Sequence, residues 1–241
     1  MKLGEYKMAL PVLSHPEYEL TLPSTKEKIK YRSFLVKEEK ILMLAAEGSN
    51  SEIMNSVKSI IEVCTFGKID VDNLASFDVE YIFLKLRAKS KGETIEIKHE
   101  CEECKTENSF QINIDEIEVI FQENHSNKIE LENNVGIIMK YPVITMGDSL
   151  KDDKDIDGIF NLIVSCIDYI YDSEATYKPS DSTKEEMLEF VNSMNDAQFK
   201  KVQTFFQTIP SLRKEIPYKC KGKKCTNKTP IVLEGLQSFL D

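Results

Sequence analysis

Four of the six cysteines fall into two close pairs, Cys101-Glu102-Glu103-Cys104 and Cys220-Lys221-Gly222-Lys223-Lys224-Cys225. A Cys-x2-Cys turn presents two thiolates from one tight bend. Four thiolates complete the tetrahedral shell of a structural Zn2+ site. The chemistry expected of Cys101, Cys104, Cys220 and Cys225 is therefore metal ligation, with zinc as the cofactor. Gly222 reads as a residue that permits an unusual backbone angle in the second turn. His99 lies two residues before Cys101, but four cysteines already fill the shell without it. Four sulfurs also leave no open coordination position of the kind a catalytic zinc keeps. Cys64 and Cys166 each stand alone on an apolar helical face and read as small core residues. His15 and His125 read as loop residues.

Between the two pairs lie residues 105–219, which is 115 residues. Loop-closure entropy grows slowly with length, so a metal can clasp the middle of the chain to its end. Charge supports the same pairing. Residues 93–107 carry a net −4 and residues 214–228 a net +5. The two segments should attract, and the lysines should offset the charge of a four-thiolate centre.

Other chemistry finds no residues to carry it. The chain has no Gly-rich phosphate loop, no H-E-x-x-H and no nucleophile elbow. Glu103 beside Cys104 is superficially like a deaminase, but the second turn has the wrong form. Asp152–Asp157 lacks the ligand spacing of a calcium loop and reads as helix-start charge. The expectation is a protein that is not an enzyme. Lys219–Lys228 is the one candidate basic patch. No aromatic interleaving beyond Tyr218 supports base stacking, and the formal charge of −10 repels phosphate backbones. The longest apolar stretches, Ile41–Ala46 and Phe160–Ile167, are too short to span a bilayer, and the first fifteen residues hold no continuous apolar region of a signal peptide. A reducing cytosol is the expected setting, in which cysteines ligate metal rather than form a disulfide framework.

The elements that must position the thiols follow from pattern. Residues 1–7 read as an extension ahead of Met8, a second plausible start. Residues 18–35 alternate as a hairpin around Pro23-Ser24-Thr25. Helices are expected over Val36–Glu47, after a Ser49/Glu52 capping box, and over Asp72–Lys89, whose Lys85, Arg87, Lys89 and Lys91 complement the helix dipole. Thr94–Lys98 and Phe110–Ile114 read as strands flanking the first cysteine pair. Further strands are expected at Val119–Phe121, Ile129–Leu131 and Val135–Tyr141, with Asn133-Asn134 as a turn. Asp155–Tyr171 reads as one strong helix and Asp172–Asp181 as a loop. Two more helices follow, started by Ser182/Thr183 and by Asn195 or Asp196. Glu215–Cys220 and Pro230–Leu233 read as strands around the second pair.

The expected fold class is α+β. Residues 1–91 form an N-terminal hairpin and helical part. Residues 92–145 and 212–241 form a discontinuous zinc ribbon closed by the two cysteine knuckles. Residues 146–211 are a helical insertion between its halves.

Several segments resemble the baseplate hub assembly family of T4-type contractile-tailed bacteriophages. They are Ala9-Leu10-Pro11-Val12-Leu13, Arg32-Ser33-Phe34-Leu35-Val36-Lys37-Glu38-Glu39-Lys40, Phe77-Asp78-Val79-Glu80-Tyr81-Ile82-Phe83, Phe205-Phe206-Gln207-Thr208-Ile209-Pro210 and Leu233-Glu234-Gly235-Leu236-Gln237-Ser238-Phe239. The resemblance covers most of the chain. It implies a non-enzymatic assembly factor or component of the central baseplate hub, acting in the host cytoplasm and, if retained, in the virion tail. The implied partners are other hub proteins; no small-molecule substrate is expected, the acidic charge disfavours nucleic acid, and the short apolar stretches argue against a membrane. It offers no catalytic residues, so the zinc assignment rests on the cysteines themselves. Phe34, Leu35, Phe205 and Phe206 are candidate adhesive positions, with core packing as the preferred reading. The alternative function is a zinc-ribbon nucleic-acid-binding regulator using Lys219, Lys221, Lys223 and Lys224.

Overall fold

A computed structural model describes residues 11, 13–45, 48–147, 155–235 and 238. In chain order it contains β1 (Glu17–Thr21), β2 (Lys28–Arg32), α1 (Val36–Ala45), α2 (Asn50–Cys64), α3 (Ser76–Lys91), β3 (Thr94–Glu100), β4 (Glu107–Asn113), β5 (Val119–Ile120), β6 (Lys128–Glu130) and β7 (Gly136–Met139). Then come α4 (Ile144–Gly147), α5 (Ile156–Ser165), β8 (Ile167–Tyr171), β9 (Thr176–Tyr177), α6 (Lys184–Asn192), α7 (Asp196–Gln207), β10 (Ser211–Ile216) and β11 (Ile231–Glu234). The strands form small sheets in the orders β1-β2, β3-β4, β11-β10-β5 and β6-β7-β8-β9. All named pairings are antiparallel. The proposed start at Met8 and residues 152–154 of the acidic stretch lie outside the described residues.

Helix α3 is buried nearly all round. Phe77, Val79, Tyr81, Ile82, Phe83, Leu84, Leu86 and Ala88 are all inside. The apolar residues surround the helix rather than lining one stripe of it. Each such large side chain contributes about 1.5–3 kcal/mol on burial, so α3 organises what surrounds it. One core gathers β1-β2, α2 and α3 with Ile95, Ile112, Ile114, Ile117, Leu212, Ile216 and Leu233. Its polar residues are satisfied. Asp78 accepts hydrogen bonds from the Ser24 backbone N–H at 3.0 Å and from the Ser24 hydroxyl, tying the β1-β2 turn to the start of α3. Lys85 donates to the Asp115 carbonyl and to Glu118 at 3.1 Å. Lys89 pairs with Glu93 at 2.6 Å and Asp115 at 2.9 Å.

Burial pushes the Glu38 carboxyl up, but hydrogen bonds from Arg32 and the Leu35 N–H outweigh it and hold the group below its ordinary range. Glu38 thereby anchors the start of α1. The rest of that helix departs from expectation. Ala45 is buried, but Ile41 is 43% and Leu44 65% exposed. Helix α2 follows its pattern, with the Ser49/Glu52 capping box present and Val57, Ile60, Ile61 and Cys64 buried.

A second core joins Ile129, Ile137, Met139, Ile163, Cys166, Ile167, Ile170, Met187, Val191, Val202 and Phe205. Here the expected helix over 155–171 is corrected. Asp155 caps α5 by accepting from the Gly158 N–H at 3.0 Å, and the helix stops at Ser165. The run Ile167-Asp168-Tyr169-Ile170-Tyr171 is β-branched and aromatic. It pairs with the otherwise open edge of β7. Residues expected as a loop supply β9, which pairs with β8. The stretch 146–211 is therefore mixed rather than helical, and its sheet extends into residues 128–139. The capping boxes of α6 (Thr183/Glu186) and α7 (Asn195/Gln198) match expectation. Asn133 and Asn134 both take positive φ, 57° and 61°, and turn the chain between β6 and β7.

His125, expected as a loop residue, lies where the two cores meet. Its ring nitrogens contact the Thr208 hydroxyl at 2.9 Å and the Tyr141 hydroxyl at 3.1 Å. Tyr141 in turn packs edge-on against Phe77 at 4.9 Å and stacks near Phe205 at 6.1 Å. Phe34 and Phe205 are buried, so neither is an adhesive surface.

Gly136 sits directly beneath the Tyr171 ring, and any Cβ there would collide with it. Gly136→Ala should cost more than about 1 kcal/mol. In Gly136→Ala/Tyr171→Ala the glycine substitution should cost much less. Urea denaturation of the single and double variants checks this; an additive result would contradict it.

Candidate metal centre

Two hairpins build the site. The register of β3 and β4, from Thr94↔Asn113 to Glu100↔Glu107, leaves residues 101–106 as the connecting turn. The Cys101 N–H donates to the Thr106 carbonyl at 3.0 Å, and the Lys105 N–H to the Cys101 carbonyl at 2.8 Å. Lys105 takes a positive φ of 58° to close this turn. The second pair lies between β10 and β11, which pair from Arg213↔Glu234 to Ile216↔Ile231. A strand over Glu215–Cys220 was expected. β10 instead begins at Ser211 and ends at Ile216, because Pro217 has no N–H to continue the ladder. Beyond it, the Cys220 N–H donates to the Asn227 carbonyl at 3.1 Å and the Cys225 N–H to the Gly222 carbonyl at 3.0 Å.

The Sγ atoms of Cys101, Cys104, Cys220 and Cys225 all lie within 4.8 Å of one another. Cys101 and Cys225 are 3.7 Å apart, and Cys104 and Cys220 3.4 Å. A tetrahedron of sulfurs about 2.3 Å from a central zinc has edges of about 3.8 Å, so the spacing fits such an ion. A disulfide would need about 2.05 Å, and all four cysteines are free thiols.

A polar shell directs charge onto the sulfurs. Hydrogen bonding from Tyr218, then from the Cys104 N–H, holds the Cys101 thiol down at about 5. Tyr218, then the Gly222 N–H at 3.3 Å, likewise lowers Cys220. The Asn227 N–H favours the Cys225 thiolate, but burial and the neighbouring sulfurs outweigh it and push that thiol up to about 12. Four thiols this close cannot all ionise without a cation among them. The donor set thus suits a soft divalent metal.

Buried Asn108 holds the shell together. Its Nδ2 donates to the Thr106 carbonyl at 2.7 Å and the Tyr218 hydroxyl at 3.2 Å, and its Oδ1 accepts from the Lys221 N–H at 2.9 Å. Asn227 Nδ2 approaches the Cys101 sulfur at 3.6 Å. Tyr218 is clamped between His99 and Phe110, with ring centroids at 5.2 and 5.8 Å. His99 therefore supports the shell through Tyr218. Sequence reasoning missed Asn108 and Asn227. The alternation Asn108, Phe110, Ile112 along β4 put Asn108 in line with Ile112, which is buried, and was the available signal for it; nothing comparable marks Asn227.

All four expected ligating cysteines come together. Cys64 and Cys166 sit in the two apolar cores, where burial pushes their thiols up to about 11 and about 12. Gly222 needs correction. Its φ is not positive; the constraint is space. A Cβ would lie 2.9 Å from the Cys104 sulfur and 3.0 Å from the Thr106 hydroxyl. The expected attraction between the two charged segments is not made by direct pairing. Among the described residues the ion pairs made by these segments run elsewhere: Lys98–Glu107 at 3.5 Å and Lys105–Glu100 at 3.4 Å within the first hairpin, Glu93 with Lys89 of α3, and Glu215 with Arg213 along β10.

Residues 15–241 match the family described as T4 bacteriophage base plate protein. The chain belongs to that family. No curated protein and no solved structure matches it. Both cysteine pairs, and every described element from β1 to β11, fall inside the matched region of this baseplate protein. No helix among the described residues is long and apolar enough to cross a membrane.

Gly222→Ala should weaken metal retention by about 10–100-fold, the usual scale for disturbing the support of a ligand set. Asn108→Ala should do the same while leaving every sulfur in place. Chelator competition measures both, and wild-type retention in either variant would contradict the role assigned to that residue.

Proposed function

We propose that this baseplate protein helps to build the central hub of the phage tail baseplate, as an assembly factor or a hub component, through contacts with other hub proteins and without catalysis. The match to the baseplate family over residues 15–241 carries the reading. Assembly takes place in the host cytoplasm, and as a hub component the protein would also lie in the virion tail. Cys101, Cys104, Cys220 and Cys225 hold one structural Zn2+ in a discontinuous ribbon made of the two hairpin tips. The bound ion supplies a cross-link between residues more than a hundred positions apart and, with four sulfurs around it, no open position for substrate.

The rest is the work of the chain's own residues. Tyr218 and the Gly222 N–H lower the Cys220 thiol, and Asn108 fixes the relative position of the two turns. Strand pairing in β3-β4 and β10-β11 carries both pairs of sulfurs to one place. A rigid, cross-linked tip is suited to making the same contact in every copy of an assembly.

Purified protein should contain one zinc per chain, with X-ray absorption showing four sulfurs at about 2.3 Å. A water, nitrogen or oxygen in the shell would overturn the structural role. In infection, disrupting the coding sequence should abolish complete baseplates, and the wild-type chain supplied in trans should restore them. Complete hubs formed in its absence would sink the assembly reading.

A further inference from the structure

The loop that carries the second cysteine pair also carries five lysines, more cations than are needed to offset the net −2 of a four-thiolate zinc centre. Lys219, Lys221, Lys223, Lys224 and Lys228 are all exposed. Among the described residues none of the five forms an ion pair. Lysines at the other hairpin of the site do: Lys98 pairs with Glu107 and Lys105 with Glu100. The loop is also held in shape. Cys220 and Asn227 are joined through their backbones, Gly222 and Cys225 close the turn, and Asn227 Oδ1 accepts from the Thr229 N–H at 2.9 Å. Fixed, unpaired and solvated charges of one sign are arranged for a partner of the other sign.

Two observations define that partner. The loop offers no exposed aromatic ring, since Tyr218 is buried between His99 and Phe110; base stacking has no platform. Exposed Glu103 also stands against the loop, its Oε2 3.4 Å from the Cys225 sulfur. A continuous phosphate backbone laid over the loop would meet that carboxylate. A protein surface with a confined acidic patch would not.

We infer that the lysine-rich loop 219–228 is a docking surface for an acidic patch on another protein. The inference rests on the proposed role in baseplate assembly and names the surface that role would use. Association through it is fastest at low salt and is screened as ionic strength rises, because the charges are exposed.

The test uses the full zinc-loaded chain and a fluorescent deca-glutamate peptide as probe, with a short DNA duplex in parallel. Anisotropy is followed from about 50 to about 200 mM salt. The peptide should bind, weaken with salt, and bind at least about tenfold more weakly when Lys219, Lys221, Lys223 and Lys224 are all changed to Glu. The same four changed to Gln should give an intermediate loss. Lys178→Glu/Lys184→Glu, distant from the loop, should bind as wild type. Zinc content of each variant shows that the site is intact. Peptide binding that ignores the four lysines, no binding at low salt, or tighter binding of the duplex would overturn the inference. So would salt-sensitive self-association that consumes the same lysines and excludes the peptide. If the peptide fails while zinc content and baseplate complementation are normal, the inference falls alone. If complementation fails to depend on the chain at all, the assembly reading falls with it.

Discussion

A helix with almost no solvent face is the constraint around which this protein is arranged. Residues 76–91 present apolar side chains in every direction, so α3 is stable only if it is enclosed. The β1-β2 hairpin, α2, the base of β3-β4 and the β5-β10-β11 sheet are the elements that enclose it. Charges on the helix tie it to its neighbours: Asp78 binds the hairpin turn, and Lys85 and Lys89 bind the segment around Asp115 and Glu118. Because these bonds reach outward from α3, they fix the orientation of its neighbours as well as satisfying buried groups.

The thiol cluster depends on that enclosure. Leu212, Ile216 and Leu233 anchor β10 and β11 in the α3 core, and Ile95 and Ile112 anchor β3 and β4 there. Both hairpins are thus rooted in the same core and reach each other at their far ends. The small cluster of Cys101, Tyr218 and Cys220 is the dry contact between them. A metal at this point would join two tips rooted in one core. The second core is linked to the first through Tyr141, His125 and Phe205, an aromatic joint with its hydrogen bonds satisfied.

Much of this was legible in the residues. Spacing alone singled out the four cysteines, because two tight thiol pairs have little other use in a reducing setting. Capping boxes at Ser49, Thr183 and Asn195 marked helix starts, since a side chain three residues before a matching Glu or Gln satisfies N–H groups that nothing else can. The errors share a cause: they lie where tertiary contacts override local pattern. Ile167, Ile170 and Cys166 fit a helical face, yet the open edge of β7 draws residues 167–171 into a strand. Ile41 and Leu44 fit a core stripe, yet α1 leaves them in solvent. Gly222 looked like a backbone requirement and is a packing one, which only the position of the Cys104 sulfur reveals. Asn108 could not be recognised as the keystone of the shell without knowing that Lys221 lies opposite.

The division of the site between distant halves of the chain has a consequence in time. Residues 211–234 are translated after nearly everything they pack against. At synthesis rates of about 5–20 residues per second, the second thiol pair emerges roughly 6–23 s after the first. Over that interval the α3 core lacks β10 and β11, and Cys101 and Cys104 form only half a ligand set. Until then the nascent chain carries an incomplete core and only one of the two thiol pairs. A product of premature termination would stay in that state, unable to close either the core or the clasp, and would be cleared by proteases rather than compete for a place in the particle.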